Sequence, residues 1–522
     1  MRVRVEPGRT RLLTSPGGRP RRALAPGALR DALASAWRAL ERLFDSAFGS
    51  HLNPLRHLGA LACLSFMLLA ASGSVLYAAL DTSAEGAHAS IDVLTRTPWS
   101  WGSLVRGLHR YAADAFAVTI GLHLLREWVH GHERGFRRFS WLTGVPLVAL
   151  AGAAAIGGFW LNWDQLGQFS AVATAEWLDA LPLFATPLAA NFLTAAAVSD
   201  RLFSLFVFVH IGVPLLLVFG LWFHVQRLTR PAVLPPRALG WGTVLTLLAL
   251  AGFAPVTSHG PASLASVPQV LRLDWMLLWL HPLAEAVSPA TAWLLVGSVF
   301  ALLLALPFLG PRGAARPVAV VDPGHCNGCR RCFADCPYAA ITMAAHPQRP
   351  AGWEVAVVDA DLCASCGICA GACPSSTPFR HSAALVTGID MPQRPLGALR
   401  ERLRAAAAAR PIVVFGCDCG ARLDTLAHGH DVCTHGLLCT GQLPPSFVEF
   451  ALRHGAAGVV VVACGEDACA FRFGARTARE RLEGVREPRL RATVRPADVT
   501  FVTANRGDEA VVRDAIERLR HA

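Results

Sequence analysis

Two pairs of histidines lie inside apolar stretches that are long enough to cross a membrane. His109 and His123 are fourteen residues apart, and so are His210 and His224. Each residue of an α-helix advances by ~100°, so fourteen residues fall within about 40° of four full turns and both histidines of a pair share a helix face. At ~1.5 Å per residue they are separated by roughly 21 Å along the axis. Two such helices facing each other would offer two opposed histidine pairs, stacked across the membrane.

Two imidazoles that face each other are the axial ligand set of a bis-histidine haem, so the four histidines predict two b-type haems. A flat haem must pass close to helix backbones, and glycine permits this because it lacks a Cβ atom. Glycines repeat the fourteen-residue spacing on two other apolar stretches: Gly59 and Gly73, and Gly144 and Gly158. The alternative is that these glycines are only points where helices pack together.

Two arginines lie about one helical turn from the histidines, Arg106 before His109 and Arg126 after His123. Haem propionates are anionic, and a guanidinium group can hold one by a charge-assisted hydrogen bond. We therefore predict that Arg106 and Arg126 bind propionates. For Arg126 the alternative is that it only sets the membrane topology.

The apolar excess of the chain predicts six membrane spans, near residues 56–80, 104–129, 141–162, 202–226, 239–257 and 290–310. Arginines crowd the leader through Arg56 and the loops after the second and fourth spans, whereas the alternate loops carry few. Because cytoplasmic loops are enriched in basic residues, we predict a multi-pass protein of a bacterial cytoplasmic (inner) membrane, with both termini in the cytoplasm. This topology also accounts for the net charge of +11, and no nucleic-acid motif accompanies it.

Residues 1–50 precede the first span and divide into two parts. The first 26 residues are rich in Arg, Pro and Gly, which predicts a disordered basic leader. Apolar residues then recur at helical spacing over 28–48, which indicates an amphipathic helix on the lipid surface. An ordinary soluble helix is the alternative for this segment.

All of the fifteen cysteines except Cys63 follow residue 325, in clusters that indicate cofactor binding in a reducing compartment rather than disulfides. Two runs, CNGCRRCFADCP and CASCGICAGACP, have the C-x2-C-x2-C-x3-C-P spacing of two-cluster bacterial ferredoxins, in which the fourth cysteine of each run binds the other cluster. The predicted ligand sets of two [4Fe–4S] clusters are Cys326, Cys329, Cys332 and Cys373, and Cys363, Cys366, Cys369 and Cys336. Zinc is the alternative for clustered cysteines.

The membrane half resembles cytochrome b of the bc-type complexes. The runs RGLHRYAADAFAVTIGLHLLREW and GFWLNWDQLGQFSAV and the four glycines carry this resemblance, which covers roughly residues 30–230. It implies a low-potential haem near the outer face, held by His109 and His210. It also implies a high-potential haem near the cytoplasm, held by His123 and His224.

The same family oxidises quinol between the segment after the third span and a Pro-Glu-Trp-Tyr motif. Residues 273–276 of this chain read Leu-Asp-Trp-Met instead. The resemblance implies that Asp274 accepts a proton from quinol at an outer site, since it is a carboxylate near membrane depth. A plain loop residue is the alternative, and the sequence leaves the role of Asp114 open.

From Pro411 the chain alternates the apolar segments IVVF, GVVVVA and VTFVT with helical stretches, which predicts an α/β domain with a mostly parallel sheet. The run CTGQLPPSFVEFALRHGAAGVVVVACGEDAC resembles the delta subunit of methyl-viologen-reducing hydrogenase. This resemblance implies a [2Fe–2S] cluster on Cys439, Cys464 and Cys469, with Cys417 as the favoured fourth ligand. Cys419 and Cys433 are alternative ligands or free thiols.

These features predict a multi-domain chain. Its parts are a leader with a surface helix (1–50), an all-α six-span transmembrane di-haem bundle (51–311), a two-cluster ferredoxin-type α+β domain (318–385) and a C-terminal α/β iron–sulfur domain (408–522). We predict that the chain is the membrane subunit of a quinone-linked electron-transfer complex and thus part of an oxidoreductase. The hydrogenase resemblance implies a cytoplasmic partner, either a heterodisulfide-reductase-like flavoprotein or a hydrogenase-like subunit, and a homodimer is a further expectation. The alternatives are a bc-type quinol oxidase with an accessory iron–sulfur branch, and a redox sensor or scaffold without turnover.

Overall fold

Helices make up most of the N-terminal half in the computed structural model. The structure describes residues 26–183, 186–194, 198–229, 231–265, 270–309, 317–406, 410–426, 431–465 and 469–521. The predicted disordered leader therefore lies almost wholly outside the described residues. The helices of this half are α1 (Pro26–Phe48), α2 (Leu58–Ala79), α3 (Ala87–Thr95), α4 (Trp101–Val129), α5 (Arg138–Trp160), α6 (Gln165–Asp179), α7 (Leu188–Phe192), α8 (Asp200–Val225), α9 (Arg237–Phe253), α10 (Leu280–Val287) and α11 (Pro289–Ala305).

Four helical segments of the described chain are long and apolar enough to cross a membrane by length and composition. They are Leu58–Ala79, Gly135–Trp160, Asp200–Val225 and Pro289–Phe308. Two further helices match predicted spans without meeting both criteria, because α4 carries charged residues along its 29-residue length and α9 has only 17 residues. The membrane-like character of this half is thus established, and the count of six spans stays a prediction.

The bundle is built from helix pairs. Helix α2 packs along α4, and α5 packs along α8, while α9 also packs against α4. The contact between α4 and α9 depends on small residues, since a Cβ atom on Gly107 would lie 2.5 Å from the Cβ of Ala251. Small residues let helix backbones approach closely where no hydrophobic gradient drives association.

Helix α1 lies across one end of the bundle. Arg30 forms an ion pair with the buried Glu133 at 2.7 Å and donates to the carbonyl oxygen of Trp128 at the end of α4. On its other face α1 exposes large apolar side chains, among them Leu29 and Leu43. This is the amphipathic pattern that the sequence predicts, and its contact with lipid stays a prediction.

The first strand-containing region carries the two cysteine runs. Its elements are β1 (Val320–Val321), α12 (Arg331–Asp335), β2 (Ile341–Ala345), β3 (Glu354–Val358), α13 (Ile368–Ala372) and β4 (Ile389–Asp390). Strands β1 and β4 pair antiparallel, and so do β2 and β3. Each cysteine run contains one of the two short helices, and α12 packs against α13. The region is therefore arranged as two similar halves around the cysteines.

The C-terminal region contains a four-stranded parallel sheet. Its elements are α14 (Leu396–Ala406), β5 (Ile412–Cys417), β6 (Val432–Leu437), α15 (Pro445–Arg453), β7 (Gly458–Ala463), α16 (Gly474–Leu482), β8 (Val499–Thr503) and α17 (Glu509–Arg520), with strand order β6-β5-β7-β8. Strands β5, β7 and β8 lie where the sequence predicts them. The prediction missed β6, because this edge strand carries Cys, Thr, His and Gly and lacks a continuous apolar run.

Both strand-containing regions are docked on the membrane half. Thr229, which follows α8, donates its backbone N–H to the carbonyl oxygen of Pro337 at 3.0 Å and its hydroxyl to that of Cys336 at 3.1 Å. Arg137, which follows α4, donates to the carbonyl oxygen of Ala470 at 2.8 Å. The loops after α4 and α8 therefore lie on the same side of the bundle as the cysteine-rich half.

Candidate functional site

Each predicted glycine of α2 faces one predicted histidine of α4. A Cβ atom on Gly73 would lie 3.0 Å from the Cε1 of His109, and one on Gly59 would lie 3.4 Å from the Cε1 of His123. The antiparallel packing of the two helices pairs the later glycine with the earlier histidine. The glycines therefore leave space beside the imidazole rings. If they served only as points where helices pack together, they would not need to face the histidines.

The second helix pair repeats this arrangement. A Cβ atom on Gly158 of α5 would lie 3.0 Å from the Cε1 of His210, and one on Gly144 would lie 2.9 Å from the Cε1 of His224. All four predicted glycines thus touch the four predicted histidines in a one-to-one manner. At Gly73, Gly144 and Gly158 even a Cβ atom would crowd the imidazole, and at Gly59 it would just touch it.

The histidines of the two helix pairs oppose each other. The ring centroids of His109 and His210 are 6.4 Å apart. This separation suits two imidazoles on one metal ion, since each metal–nitrogen bond is about 2 Å long and each ring adds its own radius. His123 and His224 line one cavity of about 1030 Å³, together with Gly59 and Gly144. The structure thereby brings together both pairs that the sequence predicts.

Hydrogen bonds orient three of the four imidazoles. Nδ1 of His109 lies 3.0 Å from the hydroxyl of Ser72, which itself donates to the carbonyl oxygen of Leu68. Nδ1 of His210 lies 3.0 Å from the carbonyl oxygen of Ala154. A carbonyl oxygen, or a hydroxyl whose proton is already donated, accepts a hydrogen bond, so Nδ1 carries the proton and Nε2 keeps its lone pair for iron.

His224 is oriented in the same manner. Its Nδ1 lies 3.4 Å from the hydroxyl of Thr143, which donates to the carbonyl oxygen of Phe139. These orienting hydroxyls were not predicted from the sequence. The sequence does contain a pattern that could have indicated them, because a hydroxyl residue directly precedes one predicted glycine on each helix: Ser72 before Gly73, and Thr143 before Gly144. With an Nε2 lone pair on the three oriented imidazoles and glycine-lined space, the site fits two haems, and the identity of the ligands stays a prediction.

The two predicted propionate ligands have different surroundings. Arg106 is buried and donates to the hydroxyls of Thr95 at 3.1 Å and Ser258 at 2.8 Å. Arg126 lines the same cavity as His123, but its guanidinium is ion-paired with Glu41 at 3.1 Å and with Glu127 at 3.6 Å. The guanidinium of Arg106 is thus hydrogen-bonded to neutral hydroxyls, with the carboxylates of Asp164 and Asp92 nearby, whereas Arg126 is paired directly with two carboxylates.

The environment of Asp274 differs from that expected of a proton acceptor. Arg110 bridges Asp274 and Asp114 in close ion pairs, which gives Asp114 the role that the sequence left open. The other oxygen of Asp274 accepts backbone N–H bonds from Met276 at 3.0 Å and Leu277 at 2.7 Å. Both carboxylate oxygens are thus engaged, which favours the alternative that Asp274 holds the loop.

The two ferredoxin-like cysteine sets assemble across the two runs. Cys326, Cys329, Cys332 and Cys373 line one small cavity. In the second set, burial raises the pKa of the Cys366 thiol to about 12, and repulsion by the nearby Cys336 and Cys363 contributes. The fourth cysteine of each run therefore lies with the first three of the other run. No three His, Cys, Asp or Glu side chains in the described ranges are placed to hold a single metal ion.

Both runs adopt the same unusual backbone between their cysteines. Gly328 and Arg330 of the first run have φ values of 67° and 60°, and Ser365 and Gly367 of the second run have φ values of 60° and 79°. These positions correspond in the two runs, one residue before and one residue after the second cysteine. The repeated left-handed turns curl each run, so that its cysteines converge.

Four cysteines of the C-terminal region converge at one end of the sheet. Sγ of Cys417 lies 4.0 Å from Sγ of Cys464, and the two pack with Cys469 in a buried cluster. Cys439 completes the group beside Gly474, where a Cβ atom would lie 1.9 Å from the Sγ of Cys439 and 3.5 Å from that of Cys469. We call these four residues the C-terminal thiol ring.

The other two cysteines of this region differ from these four. Cys419 is exposed, and its thiol contacts that of Cys417. Cys433 lies on β6, where its Sγ contacts the Nε2 of His435 at 3.4 Å. The structure thus favours Cys417 as the fourth member, and a [2Fe–2S] cluster on the ring stays a prediction.

The cysteine sets are neighbours of each other. Cys366 of the second ferredoxin-like set packs in one buried cluster with Cys439 of the C-terminal thiol ring. Phe471 packs against this cluster and against the buried cluster that holds Cys417. The cavity that contains His123 and His224 is also lined by Cys336 and Cys469. A single continuous space therefore connects one histidine pair with two cysteine sets.

Comparisons with known proteins match three regions of the chain. Residues 43–231 match the family model of cytochrome b/b6/petB, residues 325–377 match the 4Fe-4S dicluster domain, and residues 412–521 match the delta subunit of methyl-viologen-reducing hydrogenase. A solved chain described as "Hyperthermophilic respiratory Complex III" aligns with 54% of this chain and 83% of its own length, at 19% identity and a TM-score of 0.41. The family matches confirm that this chain joins, in order, a cytochrome b region, a 4Fe-4S dicluster region and a hydrogenase-delta-like region.

Proposed function

We propose that this chain is the membrane subunit of a quinone-linked electron-transfer complex, which passes electrons between a cytoplasmic redox partner and the quinone pool. A cytochrome b region and iron–sulfur regions on one membrane-like chain support an electron-transfer role. Two b-type haems, two [4Fe–4S] clusters and one [2Fe–2S] cluster would supply one-electron chemistry when bound. The proposed location is a bacterial cytoplasmic membrane, with the iron–sulfur regions in the cytoplasm.

The observation that carries this proposal is the shared cavity. His123 and His224 line it from the membrane side, and Cys336 and Cys469 line it from the other side. Residues that we propose as ligands of both kinds of cofactor thus line one cavity. Electron transfer needs such proximity, and separate modules sharing one chain would not need it.

Residues of the docked loops maintain this proximity. Phe136, between α4 and α5, packs on Tyr338 at 4.7 Å between ring centroids and on Phe471 at 6.0 Å. Arg472 donates to the carbonyl oxygen of Thr229 at 2.9 Å. These contacts join the loops of the membrane half to residues near the cysteine sets. Their role is to keep the two halves at a fixed separation.

The opposite end of the proposed path faces solvent. Cys329 is the exposed member of the first ferredoxin-like set, and the exposed Phe333 lies in the helix beside it. A soluble protein that exchanges electrons must bring its own redox centre close to an accessible one. We therefore place the cytoplasmic partner, a heterodisulfide-reductase-like flavoprotein or a hydrogenase-like subunit, at this end.

The quinol-oxidase alternative requires a working carboxylate at the outer site. The ion pairs of Arg110 with Asp114 and Asp274 disfavour it, because Asp274 would have to release a cation before it could take a proton. The alternative of a redox sensor or scaffold predicts no turnover. Rapid reduction of haem by quinol would exclude that alternative.

The test uses the full chain in lipid nanodiscs under anaerobic conditions. A low-potential soluble donor should reduce the clusters and then haem, and added quinone should reoxidise the haem. Cys366→Ala should damage one cubane and slow haem reduction without removing haem. The matched control is Cys433→Ala, since Cys433 lies apart from the thiol ring. Haem reduction in Cys366→Ala at the wild-type rate would contradict the proposal and favour separate modules.

A further inference from the structure

Arg481 is a fully buried cation at the junction of the two iron–sulfur regions. Its side chain is 0% exposed, and it projects from α16 of the C-terminal region. It forms an ion pair with Asp335 of the ferredoxin-like region at 2.7 Å, and Asp335 is itself only 6% exposed. A guanidinium group in such a place pays a large desolvation cost, so its position requires an explanation.

The guanidinium touches the backbone next to cysteines of both regions. It donates to the carbonyl oxygen of Ile368 at 3.3 Å and to that of Gly441 at 2.7 Å. Ile368 directly precedes Cys369 of the second ferredoxin-like set, and Asp335 directly precedes Cys336 of the same set. The positive charge therefore lies beside two of the four proposed ligands of the second cubane.

The chain makes room for this group at a glycine. A Cβ atom on Gly371 would lie 2.5 Å from Nη1 of Arg481 and 2.1 Å from the carbonyl oxygen of Gly441. The Nε of Arg481 is buried and has no hydrogen-bond partner among the described residues. A buried N–H donor near the second cysteine set, with space reserved for it, suits interaction with a negatively charged cluster.

The other charges near Arg481 form a short chain that leads to the surface. Asp335 also pairs with Arg486 at 2.6 Å, Arg486 pairs with Glu480 at 2.5 Å, and Glu480 pairs with Arg476 at 2.7 Å. The outermost member, Arg476, is 58% exposed, whereas Arg481 and Asp335 are the two most buried. Water screens the outer charges, so Arg481 and Asp335 dominate the potential at the second cysteine set.

We propose that Arg481 is a positioning residue that raises the reduction potential of the second cubane while it clamps the ferredoxin-like region to the C-terminal region. Reduction adds one negative charge to the cluster, and a nearby buried cation stabilises that charge. The inference rests on the proposed function, because it requires the second cubane. Beyond that function, the inference assigns to Arg481 the role of making the second cubane easier to reduce than it would be with its cysteine ligands alone.

The test is a redox titration of the purified full chain, followed by electron paramagnetic resonance. Cys366→Ala identifies the signal of the second cubane by its loss, and the first cubane is the internal reference. In Arg481→Gln we expect the ratio of reduced to oxidised second cubane at a fixed potential to fall about tenfold, a shift of ~59 mV for one electron. Asp335→Asn should shift the ratio in the opposite direction, because it removes a negative charge.

Two further variants separate charge from clamping. Arg481→Lys retains the charge and should keep the ratio near the wild-type value. Arg518→Gln removes a cation from the exposed face of α17 and should leave the ratio unchanged. If Arg481 were only structural, Asp335→Asn would not raise the ratio of reduced to oxidised second cubane. The Asp335→Asn result therefore tests the electrostatic role even if Arg481→Gln fails to assemble the cubane.

An unchanged ratio in Arg481→Gln with both cubanes assembled would overturn the inference. A ratio in Asp335→Asn that is unchanged or moves in the same direction as in Arg481→Gln would do so as well. If the wild-type chain lacks a second cubane by iron analysis and spectroscopy, the proposed function itself fails. The two failures are therefore distinguishable.

Discussion

Gly158 faces His210 so closely that a Cβ atom on the glycine would lie 3.0 Å from the Cε1 of the imidazole. The two residues belong to α5 and α8, which pack side by side. The same contact recurs at three other glycine–histidine pairs, always near the distance at which real Cβ atoms must displace a neighbour. Glycine at these positions therefore controls where the imidazoles can lie.

Replacing Gly158 with leucine should remove one haem. The new side chain would displace His210 and fill the space beside it, so haem content should fall from two to about one per chain. The control is Gly152→Leu on the same helix, where a Cβ atom would meet nothing within 4 Å. Pyridine haemochrome analysis measures the content, and two haems in Gly158→Leu would show that the contact is unimportant.

Loss of the hydroxyl of Ser72 should weaken haem binding at His109. Partners that orient a ligating histidine typically contribute ~10–100-fold in affinity, so Ser72→Ala should lose haem faster by a factor in that range. Ser74→Ala is the matched control, because its exposed hydroxyl donates to the carbonyl oxygen of Ala70 in the same helix. The rate of haem transfer to an apo-haemoprotein scavenger measures the effect, and equal rates in the two variants would argue against an orienting role.

The geometry of the C-terminal thiol ring predicts different effects for the loss of Cys417 and the loss of Cys433. Cys417→Ala should abolish the [2Fe–2S] signal, because Cys417 lies within 4.0 Å of Cys464. Cys433→Ala should retain it, because Cys433 instead contacts His435. Electron paramagnetic resonance of the reduced protein gives the result. If Cys433→Ala loses the signal and Cys417→Ala keeps it, the assignment of the fourth ligand is wrong.

The topology prediction concerns the C-terminus and the segment between α6 and α7, which should lie on opposite sides of the membrane. The loops after α4 and α8 lie on the same side as this half, and the arginine distribution predicts that this side is cytoplasmic. A reporter fused after His521 should be active only if it is a cytoplasmic reporter. A reporter inserted after Leu183, between α6 and α7, should be active only as a periplasmic one. The opposite pattern would reverse the proposed electron path.

The sequence was sufficient for features that depend on regular spacing. A fourteen-residue repeat places two residues on one face of any helix, so the four histidines and four glycines could be recognised without knowledge of helix packing. The cysteine runs likewise carry their spacing within a dozen residues. Strand β6 could not be recognised, because its only signal is its pairing with β5 in the sheet.

Tertiary structure decided every feature that joins distant residues. It paired Gly73 with His109, engaged Asp274 with Arg110, and placed Arg481 beside Asp335 across 146 positions of the chain. The physical reason is that such contacts depend on helix crossing and domain docking, which many distributed packing interactions set together. Local spacing therefore determined which residues can hold cofactors, and packing alone determined which charges and hydroxyls surround them.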